Sequence, residues 1–218
     1  MVNKNKLKIF SGKRVGFIGL GEENFSLIKF LLKNKVSCHL TVCDERPAAE
    51  LGDRYFEIQK MSRQGKKEVA FMTGKEYDAY LTDFDVVFRS PGYPLFNKNL
   101  LKAKKAGVSI SSAMKVFMDL CPTKNTIGIT GSKGKGTTSS LICEVIKAGG
   151  KKVYLGGNIG IAPFDFIEKI KPSDFVVLEL SSFQLEDFEC SPKIAVVTNL
   201  LKNIWRRLIL KIQIITKQ

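Results

Sequence analysis

Hydrophobic positions along the chain switch repeatedly between short continuous runs and helical spacing. "KRVGFIGLG" (13–21) reads as a buried strand entering a glycine turn, and "FSLIKFLLKNK" (25–35) follows at helical period. "VSCHLTVCDERP" (36–47) is a second strand ending at Asp44, and "DVVFRSPG" (85–92) is a third, closed by proline and glycine. "NLLKAKKAG" (99–107) predicts a helix stopped by glycine, and "VSIS" (108–111) a short strand. The polar stretch "CPTKN" (121–125) reads as a linker, after which the cycle restarts. Strand "TIGIT" (126–130), helix "TTSSLICEVIKAGG" (137–150) and strands "KVYLGG" (152–157), "DFVVLEL" (174–180) and "KIAVVTN" (193–199) follow. Strand–helix alternation of this kind implies parallel sheets with crossover helices, here in two consecutive α/β domains at 1–120 and 125–201.

Composition narrows the class. The chain has 218 residues, 44% hydrophobic and 26% charged, and no apolar run approaches the roughly 20 residues a membrane helix requires. The basic start lacks the apolar stretch of a secretory signal. Five cysteines are scattered without CxxC spacing, so buried thiols in a reducing cytoplasm are expected. His39 is the sole histidine, which excludes a multi-histidine metal site within the chain. The net charge of +14 points only weakly to nucleic acid, because five of the basic residues lie in the last 17 positions and the others are interspersed with acids. No nucleic-acid partner is expected; attraction of small anionic substrates fits better.

Two glycine turns carry candidate chemistry. "GLGEEN" (19–24) follows a strand, and Asp44 ends the next strand 23 residues after Gly21. That spacing is close to a dinucleotide fingerprint, with Asn24 in place of the third glycine, a disturbance to close helix–strand packing or pyrophosphate approach, and Glu22 and Glu23 bringing negative charge to the helix start. The turn fits a Rossmann-like frame without selecting its nucleotide.

The second turn, "ITGSKGKGTT" (129–138), misses the usual phosphate-loop count, since five positions before Gly134 stands Ile129. Small residues at Gly131, Ser132, Gly134 and Gly136 nevertheless let backbone N–H groups approach phosphate oxygens at a helix N-terminus. Lys133 and Lys135 add positive charge, and Thr137 and Thr138 offer hydroxyls for Mg²⁺. Glu179, at the end of a buried strand, supplies the carboxylate that Mg²⁺ favours, with Ser181, Ser182 and Gln184 beside it. A third glycine turn, "GGNIG" (156–160), displays Asn158.

Taken in order, "GSKGKGTT", "GGNIG" and "ELSSFQLE" resemble the ATP-dependent muramyl peptide ligases of bacterial cell-wall synthesis. That family's phosphate loop opens Thr-Gly, here Thr130-Gly131, and "GLG", "DERP" and "SPG" match its uridine-nucleotide domain. The resemblance spans about residues 13–201, and "ELSSFQL" selects the branch that adds D-glutamate. It implies a Rossmann-like UDP-substrate domain followed by an incomplete P-loop ATPase-like central domain with a parallel sheet. It further implies ATP and Mg²⁺ as cofactors, UDP-N-acetylmuramoyl-L-alanine and D-glutamate as substrates, an acyl-phosphate route to an amide bond, and a cytoplasmic monomer. By the same resemblance Lys135 and Glu179 are catalytic and Glu179 serves the metal; with glycine at the family's metal-hydroxyl position, Thr137 takes over that role or water replaces the lost ligand. Asn158, Ser181 and Gln184 hold the muramoyl-alanine end; Gly19, Gly21, Asp44, Arg46, Ser90 and Gly92 line the uridine diphosphate end.

The chain departs from the family at Lys133, commonly asparagine, and at Gly136, where the family has a metal-binding Ser or Thr. After "VVTNLL" (196–201) the family's Asp-His-Leu/Met, later carbamylated lysine and D-glutamate-binding domain are replaced by "KNIWRRLILKIQIITKQ". Codons for Lys-Asn-Ile-Trp, started at the third base, permit Glu-His-Leu, so a frameshift near codon 202 and an inactive N-terminal fragment are expected. The competing readings are an authentic nucleotide-binding module whose basic, apolar tail adsorbs to membranes, and a sister ligase.

Overall fold

A computed structural model describes residues 4–201 as two compact units, Lys4–Ala113 and a second beginning at Met114. The segment from residue 202, and with it the frameshift and membrane-adsorption readings, lies outside the described residues.

The first unit runs β1 (Arg14–Ile18), α1 (Glu22–Lys33), β2 (His39–Asp44), α2 (Asp53–Gly65), β3 (Val69–Thr73), β4 (Val86–Arg89), α3 (Lys98–Lys105) and β5 (Ser109–Ser111). Its sheet is wholly parallel with order β3-β2-β1-β4-β5. β1 and β4 are nearly continuous buried runs because helices cover both faces of such a sheet. Phe17 stacks on Phe88 at 5.0 Å between the two central strands. Sequence periodicity leaves α2 and β3 unassigned. In α2 only Ile58 and Ser62 are buried, and β3 is an edge strand whose exposure blurs alternation.

Helix α4 (Ala113–Leu120) opens the second unit, ahead of the position near residue 120 where composition suggests the division. Its Phe117 meets Phe164 and Phe166 edge-on at 5.9 and 5.8 Å, so its packing belongs with the second sheet. There follow β6 (Thr126–Thr130), α5 (Lys135–Ala148), β7 (Val153–Gly157), α6 (Pro163–Phe166), β8 (Phe175–Glu179), α7 (Ser182–Leu185) and β9 (Ile194–Val197). This sheet is also parallel, ordered β7-β8-β6-β9. Both units are thus α/β with parallel sheets, as expected. The described cysteines are all unpaired, and Cys190 is exposed rather than buried. No helix among the described residues is long and apolar enough to cross a membrane.

Candidate functional site

In an open parallel sheet, ligands bind beyond the strands' carboxyl ends, where the strand order reverses. In the first unit that reversal falls between β1 and β4, and a cavity of about 300 Å³ opens there. Gly19 and Gly21 follow β1, Asp44 ends β2 with Arg46 just beyond it, and Ser90 and Gly92 follow β4, and all six line it. The six first-unit positions named by resemblance are therefore brought together.

Asp44 is nearly buried and organises this cavity. One carboxylate oxygen accepts from the Leu20 amide at 2.7 Å, and the other accepts from the Arg46 amide at 3.0 Å. The Arg46 guanidinium adds bonds of 2.9 and 2.8 Å. Burial alone pushes this carboxyl up, but the Arg46 and Leu20 hydrogen bonds together outweigh it and hold the group below its ordinary value. Tyr77 and Tyr93 also line the cavity; burial, reinforced by Asp78, pushes Tyr77 up to about 12. Tyr93 donates to Asp78 at 2.6 Å.

Three residues that shape the turn escaped sequence reasoning. Asn24, read as a disturbance to packing, is buried and donates to the carbonyls of Ile18 and Gly19 and to Ser90 Oγ at 2.9–3.2 Å. It ties the β1 turn to the β4 turn by hydrogen bonding. Arg54 donates to the Leu20 carbonyl at 3.0 Å and pairs with Glu22 at 2.6 Å, so Glu22's charge is compensated beside the turn. Arg89 is fully buried and donates to the Pro91 and Tyr93 carbonyls, fixing the β4 turn. Hydrophobic patterning contains no signal for any of them, because their partners lie in distant segments or in irregular turns.

The second unit assembles the other set. Loop 131–134 leaves β6 and enters α5, whose N-cap, Gly134, has no side-chain capping bond. Gly131 has φ +134°, and a Cβ there would sit 2.2 Å from Thr198 Oγ1, so only glycine fits. Lys135 reaches back across the loop and donates to the Gly131 carbonyl at 3.0 Å. Ser132 and Lys133 direct their N–H groups to Asn199 Oδ1 at 3.1 and 2.9 Å, so these two amides are engaged within the protein. Thr130 Oγ1, at the base of the loop, is buried without a hydrogen-bond partner among the described residues.

Glu179 ends β8 beside this loop and is 3% exposed. Its Oε1 accepts from Asn158 Nδ2 at 3.0 Å, and the Asn158 amide donates to the Glu179 carbonyl at 2.8 Å. This approach requires Gly157, φ +100°, where a Cβ would lie 2.2 Å from the Glu179 carbonyl oxygen. Asn158 is therefore an orienter of Glu179. The position facing Glu179 Oε2 is Gly136, whose Cβ would lie 3.3 Å away. Thr137, expected to present the metal hydroxyl, follows about 100° further round the helix and is exposed; Thr138 is half-buried.

Ser181 and Gln184, expected at the substrate, bond one another. Ser181 is the N-cap of α7, accepting from the Gln184 amide at 3.2 Å, while Gln184 Oε1 accepts from the Ser181 amide at 2.6 Å. "SSFQ" is a capping box, and the Ser-x-x-Gln spacing was the available signal.

The loop fits a polyphosphate, by its glycine-only approach at Gly131, its orphaned Thr130 hydroxyl and the first-turn amides of α5. The site fits Mg²⁺ through one buried, oriented carboxylate; among the described residues no three His, Cys, Asp or Glu side chains converge, so phosphate and water oxygens would complete the shell.

Comparison with known proteins places this geometry. Residues 13–112 match the model for the Mur ligase MurD-like N-terminal domain, and residues 129–203 match the Mur ligase middle domain. The chain is 40% identical over 197 residues to the UDP-N-acetylmuramoylalanine–D-glutamate ligase of Clostridium acetobutylicum, covering 90% of this chain and 41% of that protein. The ligase of the same name from Clostridium botulinum strain Okra is 39% identical over 92% of this chain and 42% of its own length. The chain thus spans about two fifths of these relatives. In fold it is similar to the UDP-N-acetylmuramate:L-alanyl-gamma-D-glutamyl-meso-diaminopimelate ligase of Neisseria meningitides, with TM-score 0.54 and 16% identity over 94% of this chain and 69% of that one. The UDP-N-acetylmuramate-alanine ligase of Thermotoga maritima gives TM-score 0.50 and 20% identity over 91% of this chain and 45% of that one. Matched in both of its units, the chain belongs to the Mur ligase family, with a MurD-like N-terminal domain ahead of Mur ligase middle-domain sequence.

Proposed function

We propose that this chain supplies the nucleotide-sugar and ATP sites of a ligase that joins D-glutamate to UDP-N-acetylmuramoyl-L-alanine. The observation that carries the reading is the meeting of a glycine-only loop and a buried, oriented carboxylate at the carboxyl ends of β6 and β8. Lys135 and the first-turn amides of α5 neutralise phosphate charge, and Glu179, steered by Asn158, holds Mg²⁺, which would neutralise charge on the transferred phosphoryl group. The chain provides no protein nucleophile in this scheme; positioning dominates. The cavity lined by Asp44 and Arg46 takes the uridine diphosphate end, with Arg46 the cation beside the diphosphate.

Equilibrium titration of the chain tests this. UDP-N-acetylmuramoyl-L-alanine and ATP are each expected to saturate, independently, with ATP strengthened by Mg²⁺ and NAD inert. Saturation by NAD in competition with the UDP compound overturns the assignment of the cavity.

Metal attachment is separable. Glu179→Gln is expected to weaken Mg²⁺-dependent ATP binding by at least about 10-fold. Thr137→Ala is expected to change it by less than about threefold, as for an exposed residue. Equal losses in the two variants would return the metal role to Thr137.

A further inference from the structure

The segment after β9 lies against the phosphate loop. β9 pairs with β6 in parallel, Val197 opposite Thr130, so the two chains leave the sheet side by side. The Thr198 amide donates to the Thr130 carbonyl at 2.9 Å, and Thr198 Oγ1 donates to the Lys133 carbonyl at 2.6 Å. Asn199 then presents a single side-chain oxygen to two successive loop amides, those of Ser132 and Lys133, and its carbonyl also accepts from Ser132 at 3.0 Å. The Leu201 amide donates to Ser132 Oγ at 2.9 Å. Two consecutive N–H groups converging on one oxygen form the concavity that backbone offers to anions. Here a neutral carboxamide occupies it.

We infer that Asn199 is a positioning residue: its carboxamide oxygen holds the loop in its phosphate-ready conformation before nucleotide arrives, and its neutrality keeps that hold from repelling the phosphates. The inference rests on the reading of this loop as the ATP site. Two variants separate its parts. Asn199→Asp preserves an acceptor in the same place and adds a negative charge. Asn199→Ala removes the side-chain acceptor, leaving the Lys133 amide without it and the Ser132 amide with the Asn199 backbone carbonyl alone.

Hydrogen exchange at the Ser132 and Lys133 amides, read by NMR without nucleotide, reports the hold; ATP titration of the same proteins reports its consequence. Asn199→Ala is expected to speed exchange at the Lys133 amide by at least about 10-fold, with a smaller change at Ser132, whose amide keeps its bond to the Asn199 carbonyl, and to weaken ATP about fivefold. Asn199→Asp is expected to keep wild-type exchange and melting temperature yet weaken ATP by about 10–100-fold. A merely structural role would move affinity and melting temperature together in both variants. Unchanged exchange in Asn199→Ala, or wild-type ATP affinity in Asn199→Asp, overturns the inference. If the unmodified chain binds no ATP, the nucleotide reading fails, while the exchange arm still decides whether Asn199 sets the loop.

Discussion

Gly131→Ala is expected to abolish measurable ATP binding and to lower the melting temperature of the second unit. Its φ of +134° is left-handed territory that L side chains rarely adopt, and the added Cβ would meet Thr198 Oγ1 at 2.2 Å and the Asn199 carbonyl oxygen at 2.8 Å. Relief requires either the loop or the strand exit after β9 to move, and both carry the hydrogen bonds that define the site. Backbone strain of about 1–2 kcal/mol and overpacking of about 1–3 kcal/mol together cost about 2–5 kcal/mol. For a chain of this size that lowers melting by roughly 5–15 °C. Gly149→Ala is the control: its φ is −75° and its Cβ would meet nothing closer than 3.5 Å, so stability is expected to change little. Wild-type ATP affinity and melting in Gly131→Ala would show that the loop is not constrained by the β9 exit.

Asp44→Asn is expected to loosen the first unit and to remove its preference for the UDP compound. The carboxylate accepts four hydrogen bonds, from the Leu20 amide, the Arg46 amide and two Arg46 side-chain nitrogens. An amide group offers only one oxygen and points donors at the others. Losing charge-assisted bonds at a buried acceptor costs about 2–3 kcal/mol at neutral pH. The pH dependence follows from the direction of the shift. A carboxyl whose folded pKa is depressed stabilises the protein above its unfolded value of about 4, and that contribution disappears as pH falls through the folded value. The stability gap between wild type and Asp44→Asn should therefore be full at pH 7, begin to close near pH 4 and be small once Asp44 is protonated. Asp85, also depressed by its hydrogen bond from Arg14, titrates in both proteins and cancels in the difference. A gap that is constant from pH 7 down through protonation would mean that shape, not charge, makes Asp44 matter.

Much of this architecture is legible in one dimension. β1, β4, β6 and β8 are buried along nearly their whole length, so each is a short run dominated by apolar residues. The turns at Gly19, Ser90 and Gly131 follow directly on β1, β4 and β6, so the apolar runs mark where those turns stand. Helix α2 has no such mark, since a helix with only two buried residues has almost no periodic signal. Helix α4 shows the same limit from the other side: its apolar residues are visible, but its allegiance to the second unit depends on Phe164 and Phe166, more than 40 positions on.

At the site, residue type and strand position determined which groups stand at the mouth, because a parallel strand delivers its last residue to one fixed edge of the sheet. What those groups do with their hydrogen bonds was decided only by tertiary structure. Ser181 and Gln184 read as ligand contacts and cap a helix; Asn24 reads as a flaw and joins two turns; Gly136, not Thr137, faces Glu179. Asn199 holds a loop more than 60 residues earlier, through the pairing of β9 with β6. Periodicity records burial, whereas a hydrogen bond depends on direction and distances of about 3 Å, and those exist only once separate strands are in register.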